Sequence, residues 1–306
     1  MADCKISIGG QALMEGIMMK GKDKYSVAVR KPDGEISIET HAVKPSPVGK
    51  IPFVRGIYNF IDSLATGYKC LMRSAEISMG TDYEEDKFEI WLKEKFGEKA
   101  TGILTTIAGI GGTVLALVLF MVLPTAVTGF INSFFPLGNF KRAVEGLTKL
   151  AIFFCYLLAI SQMRDIRRVF QYHGAEHKTI FCYEKGLPLT VENVKKQSRF
   201  HPRCGTSLLF IVLFVSIAVF SFVPWKGTFQ RAALKVLFLP VVVSIAYEIL
   251  KFTGTHENAL TKIMVKPGLW CQRLTTKEPD DKMIEVAIAS VNAILPETVI
   301  SNGNEE

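Results

Sequence analysis

Five histidines are spread over 306 residues, and three of them crowd between positions 173 and 204. His173-Gly-Ala-Glu176-His177 is followed by His201-Pro-Arg-Cys204. If the first motif is helical, His173 and His177 are four residues apart on one face, and both imidazoles can reach one ion. Glu176 stands beside that pair. The H-x-x-E-H spacing is that of the inverted zincins, where two histidines hold zinc and the glutamate is the general base for the bound water. Zinc brings the pKa of that water down to about 7, within reach of a carboxylate. Pro202 and Gly205 make the second motif a turn, able to bring the His201 imidazole and the Cys204 thiolate to the same ion. A thiolate ligand favours zinc over magnesium or calcium.

Two metal readings stay open. Four ligands, His173, His177, His201 and Cys204, would close a tetrahedral structural site; three would leave a position free and make the site catalytic, with Glu176 as base. The plainer alternative is a hydrogen-bonded polar cluster at the mouth of a helix bundle, and Gly174 weakens the helix that any of these readings needs.

The surrounding chain must place this segment at a membrane. Mean hydropathy is +0.25. Hydrophobic residues make up 49% and charged residues 21%, too apolar for an ordinary soluble enzyme and too charged for a pure membrane bundle. No charge occurs between Lys99 and Lys141. Apolar stretches at 102–123, 144–163, 205–223 and 232–250 predict four spans. Residues 124–140 are then an outer loop or a re-entrant piece. The connection from Arg164 to Cys204 carries nine Lys/Arg, whereas the loops holding Lys141–Arg142 and Lys226–Arg231 carry two each. The positive-inside rule therefore puts the 164–204 loop and both termini in the cytoplasm of a multi-pass protein of the cell membrane. The net charge of +7 reports topology and lipid contact before nucleic acid, and no specific nucleic-acid binding is expected. The six cysteines include no C-x-x-C pair, which fits a reducing compartment. The N-terminus lacks the apolar core of a signal peptide.

Three stretches follow. Residues 1–100 read as a smaller cytosolic α+β portion. In it, Lys24–Arg30 and Glu35–His41 alternate apolar and polar residues around Lys31-Pro-Asp-Gly34 and predict a β-hairpin. Cys4–Ile8 offers a further strand. Gly9-Gly10 and Glu15-Gly16 read as a turn-rich segment. An amphipathic helix follows from Ile57 to Met72, and a charged surface helix over 81–99. Residues 101–255 form an α-helical integral membrane bundle. Residues 256–306 form a cytosolic C-terminal segment with an amphipathic helix after Pro279-Asp-Asp281, and Trp225 and Trp270 suit interfacial anchoring.

Other residues merit watching. Glu248 lies in an apolar span, where carboxylates are expensive; it is either functional or paired with an arginine. Arg203, with Arg55, Arg164, Arg167 and Arg168, forms a basic cytoplasmic rim for lipid headgroups, a protein partner or an anionic substrate. Gly109, Gly111 and Gly112 allow close helix approach in a homo-oligomer.

Four segments together carry a family resemblance: Gly9–Met19, His173–Lys178, His201–Thr206 and Pro267–Thr276. With them the chain resembles the YqhQ-like family of bacterial membrane proteins, described as predicted metal-dependent enzymes. The resemblance spans nearly the whole chain. It implies an integral membrane protein with motif residues at His173, Glu176, His177, His201 and Cys204, and it adds Glu15 as an extra ligand candidate. The leading expectation is zinc-dependent hydrolysis at the cytoplasmic membrane surface. The runner-up is a non-catalytic scaffold with a structural zinc that recruits a secretion or translation partner. A transporter or channel comes third.

Overall fold

The computed structural model describes residues 8–43, 47–80, 91, 95, 100–223, 228–256 and 258–296. The chain divides into two compact units. The first takes Met1–Gly80, Leu157–Val215 and Val241–Glu306; the second takes Thr81–Tyr156 and Ser216–Pro240. This division cuts across the three stretches expected from sequence, because the two ends of the chain fold together.

The first unit is built on an antiparallel meander: β1 (Gly9–Leu13), β2 (Gly16–Lys20), β3 (Lys24–Arg30) and β4 (Ile36–Ala42), paired in that order. The β3–β4 hairpin forms as its alternation predicts, with Arg30 opposite Ile36. The segment around Gly9, Gly10 and Gly16 is two further strands instead of turns. The strand expected over Cys4–Ile8 lies outside the described residues except for Ile8.

Both faces of the sheet are covered. Ile17, Met19 and Ala28 point to one side, where they meet Tyr172, Met283, Ile284, Ala287 and Val291. Leu13, Met18, Val27 and Val29 point to the other, against Cys70 of α1 (Val54–Met79). This double burial explains the unbroken apolar run Ile17-Met18-Met19, which a half-exposed strand does not need.

The first face packs on α5 (Arg164–Glu184) and α10 (Asp281–Ile294). α10 begins at Asp280, whose side chain accepts from the Met283 N–H at 2.8 Å. It is tied to the sheet by Ser26, whose hydroxyl donates to the Ser290 carbonyl at 2.7 Å. Between them come the short α6 (Val191–Lys195) and α9 (Ala259–Thr275), the latter opened by an Asn258–Thr261 capping box.

Further helices are α2 (Ala100–Leu117), α3 (Leu123–Phe134), α4 (Lys141–Ser161), α7 (Gly205–Phe222) and α8 (Thr228–Thr255). A π-turn, Val118–Val122, joins α2 to α3 without a break. Pro124 lacks the N–H that a regular helix would use, and a wider turn just before it absorbs that loss. The first apolar stretch therefore continues helically to Phe134, past the point where sequence placed a loop. Among the described residues, three helical stretches are long and apolar enough to cross a membrane: Thr106–Phe134, Lys141–Ser161 and Ala233–Gly254. Ser207–Phe222 is apolar but shorter. These helices are compatible with a membrane protein. Trp270 is exposed; Trp225, and the charged helix expected over 81–99 apart from Trp91 and Lys95, lie outside the described residues.

Candidate metal centre

The H-G-A-E-H motif lies in the buried half of α5, where residues Tyr172 to Ile180 are all buried. Its histidines are held from behind. His173 Nδ1 is 2.8 Å from the Thr275 carbonyl, and His177 Nδ1 is 2.6 Å from the Arg199 carbonyl. A carbonyl only accepts, so each Nδ1 carries the proton and each Nε2 is left with its lone pair. That arrangement orients metal-binding histidines in general. His173 Nε2 faces Cys204 Sγ at 3.1 Å. His177 Nε2 is buried with the Cys204 thiol beside it, so both rings turn their lone pairs to one thiol. Burial pushes the His177 pKa down, more than the neighbouring thiol raises it, so the ring stays neutral.

One ligand atom from each of His173, His177 and Cys204 lies within 4.8 Å of the other two. His201 and Glu176 stand outside that group. The His201 ring turns away: its Nε2 is 3.4 Å from Glu184, and its Nδ1 accepts from the Arg203 N–H. Its backbone is gripped instead, with its N–H donating to Gln272 Oε1 at 2.8 Å and its carbonyl accepting from Gln272 Nε2 at 2.7 Å. This clamp fixes the turn that presents Cys204.

Glu176 is buried against β1. A Cβ at Gly10 would come 2.9 Å from the Glu176 carboxyl carbon and from Oε1, so only glycine lets the strand approach. Burial raises the Glu176 pKa to about 7, with the nearby His173 pulling the other way. A carboxylate that ionises near neutrality is suited to taking and returning protons.

The other candidates are engaged elsewhere. Glu15 ion-pairs with Arg168 and accepts from the Tyr172 hydroxyl at 3.2 Å. Arg203 pairs with Glu184. Glu248 accepts from Arg55 Nε at 2.7 Å and from the Phe53 N–H at 3.2 Å. Much of the expected basic rim is therefore spent on internal ion pairs.

Several supporting residues were not singled out by sequence. Gln272 and Thr275 belong to the Pro267–Thr276 motif, whose buried residues hold His201 and His173. Arg199 supplies a carbonyl to His177, and its guanidinium donates to the Thr276 carbonyl. The one available signal was the motif itself, a polar Gln-Arg-Leu-Thr-Thr end on an otherwise apolar segment.

Comparisons with known proteins identify the family of the chain. A family model described as "Protein of unknown function (DUF1385)" matches residues 51–297. The chain belongs to this family. It is 38% identical over 303 residues to "Uncharacterized protein YqhQ" of Bacillus subtilis (strain 168), covering 97% of this chain and 95% of that protein. No solved structure matches the chain.

Proposed function

We propose that this DUF1385 member is a cell-membrane protein that holds zinc, or a similar ion, through His173, His177 and Cys204. We further infer hydrolysis of a lipid-linked or peptide substrate at the cytoplasmic membrane surface. The observation that carries this reading is the convergence of His173, His177 and Cys204, whose ligand atoms lie within 4.8 Å of one another with both Nε2 lone pairs turned to the one thiol. A single S–H cannot satisfy two buried imidazole acceptors, and the one left over costs about 1–3 kcal/mol. Two imidazoles and a thiolate are a borderline-soft donor set that suits zinc. Three ligands, with His201 turned to Glu184, favour an open site over a closed one. Bound there, the ion would supply Lewis acidity. Glu176 holds or releases a proton near pH 7, and β1 shields its carboxylate from water. Arg199 and Thr275 keep both imidazoles in the ligating tautomer.

The topology belongs to the same proposal. α7, at 18 residues, spans about 27 Å at 1.5 Å per residue, which suffices for a fourth crossing in a thin or locally adapted bilayer. Four crossings, with nine Lys/Arg between Arg164 and Cys204, leave the site and both termini on the cytoplasmic side, next to anionic lipids.

Elemental mass spectrometry of detergent-purified protein tests the centre. Wild type should carry about one zinc per chain, as a single tetrahedral-type site requires. His173→Ala combined with His177→Ala should carry none. Glu176→Gln should keep the metal and lose turnover on a panel of lipid-linked and peptide substrates. Metal-free wild type, prepared without chelators, would reduce the centre to a polar structural cluster.

A further inference from the structure

Charges that the metal centre does not use collect in the second unit. α4 contributes Arg142, Glu145 and Lys149; α8 contributes Arg231 and Lys235; α7 contributes Ser216. Glu145 is buried and ion-pairs with both Arg231 and Lys235, themselves buried. The Thr125 hydroxyl braces this trio, 2.9 Å from Glu145 and 2.7 Å from Lys235. Lys149 lies one helical turn beyond Glu145 on the same face. Its ammonium donates to Ser216 Oγ, and it forms no ion pair among the described residues. These side chains line a recess that opens to the surface.

Among the described residues, Lys149, Arg231 and Lys235 thus meet the single carboxylate of Glu145 at this recess, whose lining also includes Arg142. Glu145, Lys149 and Lys235 all fall within stretches apolar enough to cross a membrane. Ions removed from water cost several kcal/mol each unless they are paired, and ionisable groups at membrane depth are functional by default. A hydroxyl dipole does not neutralise the Lys149 charge. Ammonium, guanidinium and hydroxyl donors converging from three helices match an anion with several acceptor oxygens.

We propose that this recess binds a phosphate-type oxyanion, either inorganic phosphate or the phosphate of a lipid headgroup. Glu145 holds Arg231 and Lys235 in place and moderates the positive field, and Lys149 supplies the charge that the anion neutralises. The site is separate from the His173–His177–Cys204 cluster and stands whether or not that cluster holds metal.

The test is thermal unfolding of the full-length protein in a neutral detergent. One arm titrates inorganic phosphate against chloride at matched ionic strength. The other adds phosphatidylglycerol against phosphatidylcholine. A saturable rise in Tm in the phosphate arm identifies a free oxyanion; a rise confined to phosphatidylglycerol identifies a headgroup. Lys149→Gln keeps a donor for Ser216 and removes the charge, and should move the half-saturation point up about tenfold, the loss of one charged hydrogen bond. Glu145→Gln frees two cations and should move it down. Either variant left at the wild-type half-point overturns the proposal, as does a wild type insensitive to both additives. If Lys149→Gln fails to fold, the Glu145→Gln shift decides.

Discussion

At the scale of single residues, two glycines of the motifs, Gly10 and Gly174, are there for approach. Gly174 sits inside α5, where glycine costs about 1 kcal/mol relative to alanine and weakens the helix expected from sequence. In the structure the linker after α9 crosses α5 at this point, with the Lys277 N–H donating to the Phe170 carbonyl at 2.8 Å. A Cβ on Gly174 would sit 2.1 Å from the Lys277 carbonyl oxygen, a backbone atom that cannot swing aside. Displacing that linker also displaces the Thr275 carbonyl that orients His173. Gly174→Ala should therefore lower stability by about 1–3 kcal/mol, the range for overpacking, and weaken metal retention. Gly9→Ala, with nothing within 4 Å of its added carbon, is the matched control. Equal Tm values for the two variants would remove the close-approach argument. The H-x-x-E-H spacing was legible because one helical turn relates its members; the carbonyls behind the histidines come from residues 22 and 102 positions away and were not.

At the scale of elements, the turn between β1 and β2 is tied to α5 by Glu15. This residue has a φ of 50° in the turn, and its carboxylate meets Arg168 and Tyr172. The Arg168 guanidinium holds the Glu15 pKa below its usual value, against the opposing effect of burial. Because the folded pKa lies below the unfolded one, the stabilisation is complete above the unfolded pKa of about 4.3 and disappears as pH falls through the folded value. The Tm gap between wild type and Glu15→Gln should accordingly be largest near neutral pH and close on acidification below about pH 4. A gap that stays constant across that range would show that the ion pair does not stabilise the turn. The β3–β4 hairpin was readable from alternation around Pro32-Asp-Gly34. The β1–β2 pair was not, since Gly-Gly and Glu-Gly imitate turn signals and a strand buried on both faces does not alternate.

At the scale of the whole molecule, the first unit is discontinuous in sequence. Its sheet comes from the N-terminal end and its covering helix α10 from the C-terminal end, and the motif helix α5 lies against both. A metal bound to α5 and to the turn at Cys204 would cross-link that unit, so its removal should be felt in global unfolding. At a free metal concentration about a thousand times Kd, linkage contributes about 4 kcal/mol. Chelator treatment should lower the Tm of wild type, readdition of zinc should restore it, and the His173→Ala, His177→Ala protein should respond to neither. A chelator effect of the same size in the double variant would place the metal elsewhere.

The sequence by itself determined the helical apolar stretches, the β3–β4 hairpin, the shared face of His173 and His177, and the family through its four motifs. Each of these rests on local periodicity or on the identity of nearby residues. Only the tertiary structure decided that His201 turns to Glu184 while Cys204 stays with the two imidazoles, that Gly10 and Gly174 are contact points, and that Glu145 gathers Arg231 and Lys235 from another helix. Those outcomes depend on which distant backbone carbonyls and charges are brought alongside. That is set by packing of the whole chain, and spacing along one segment does not encode it.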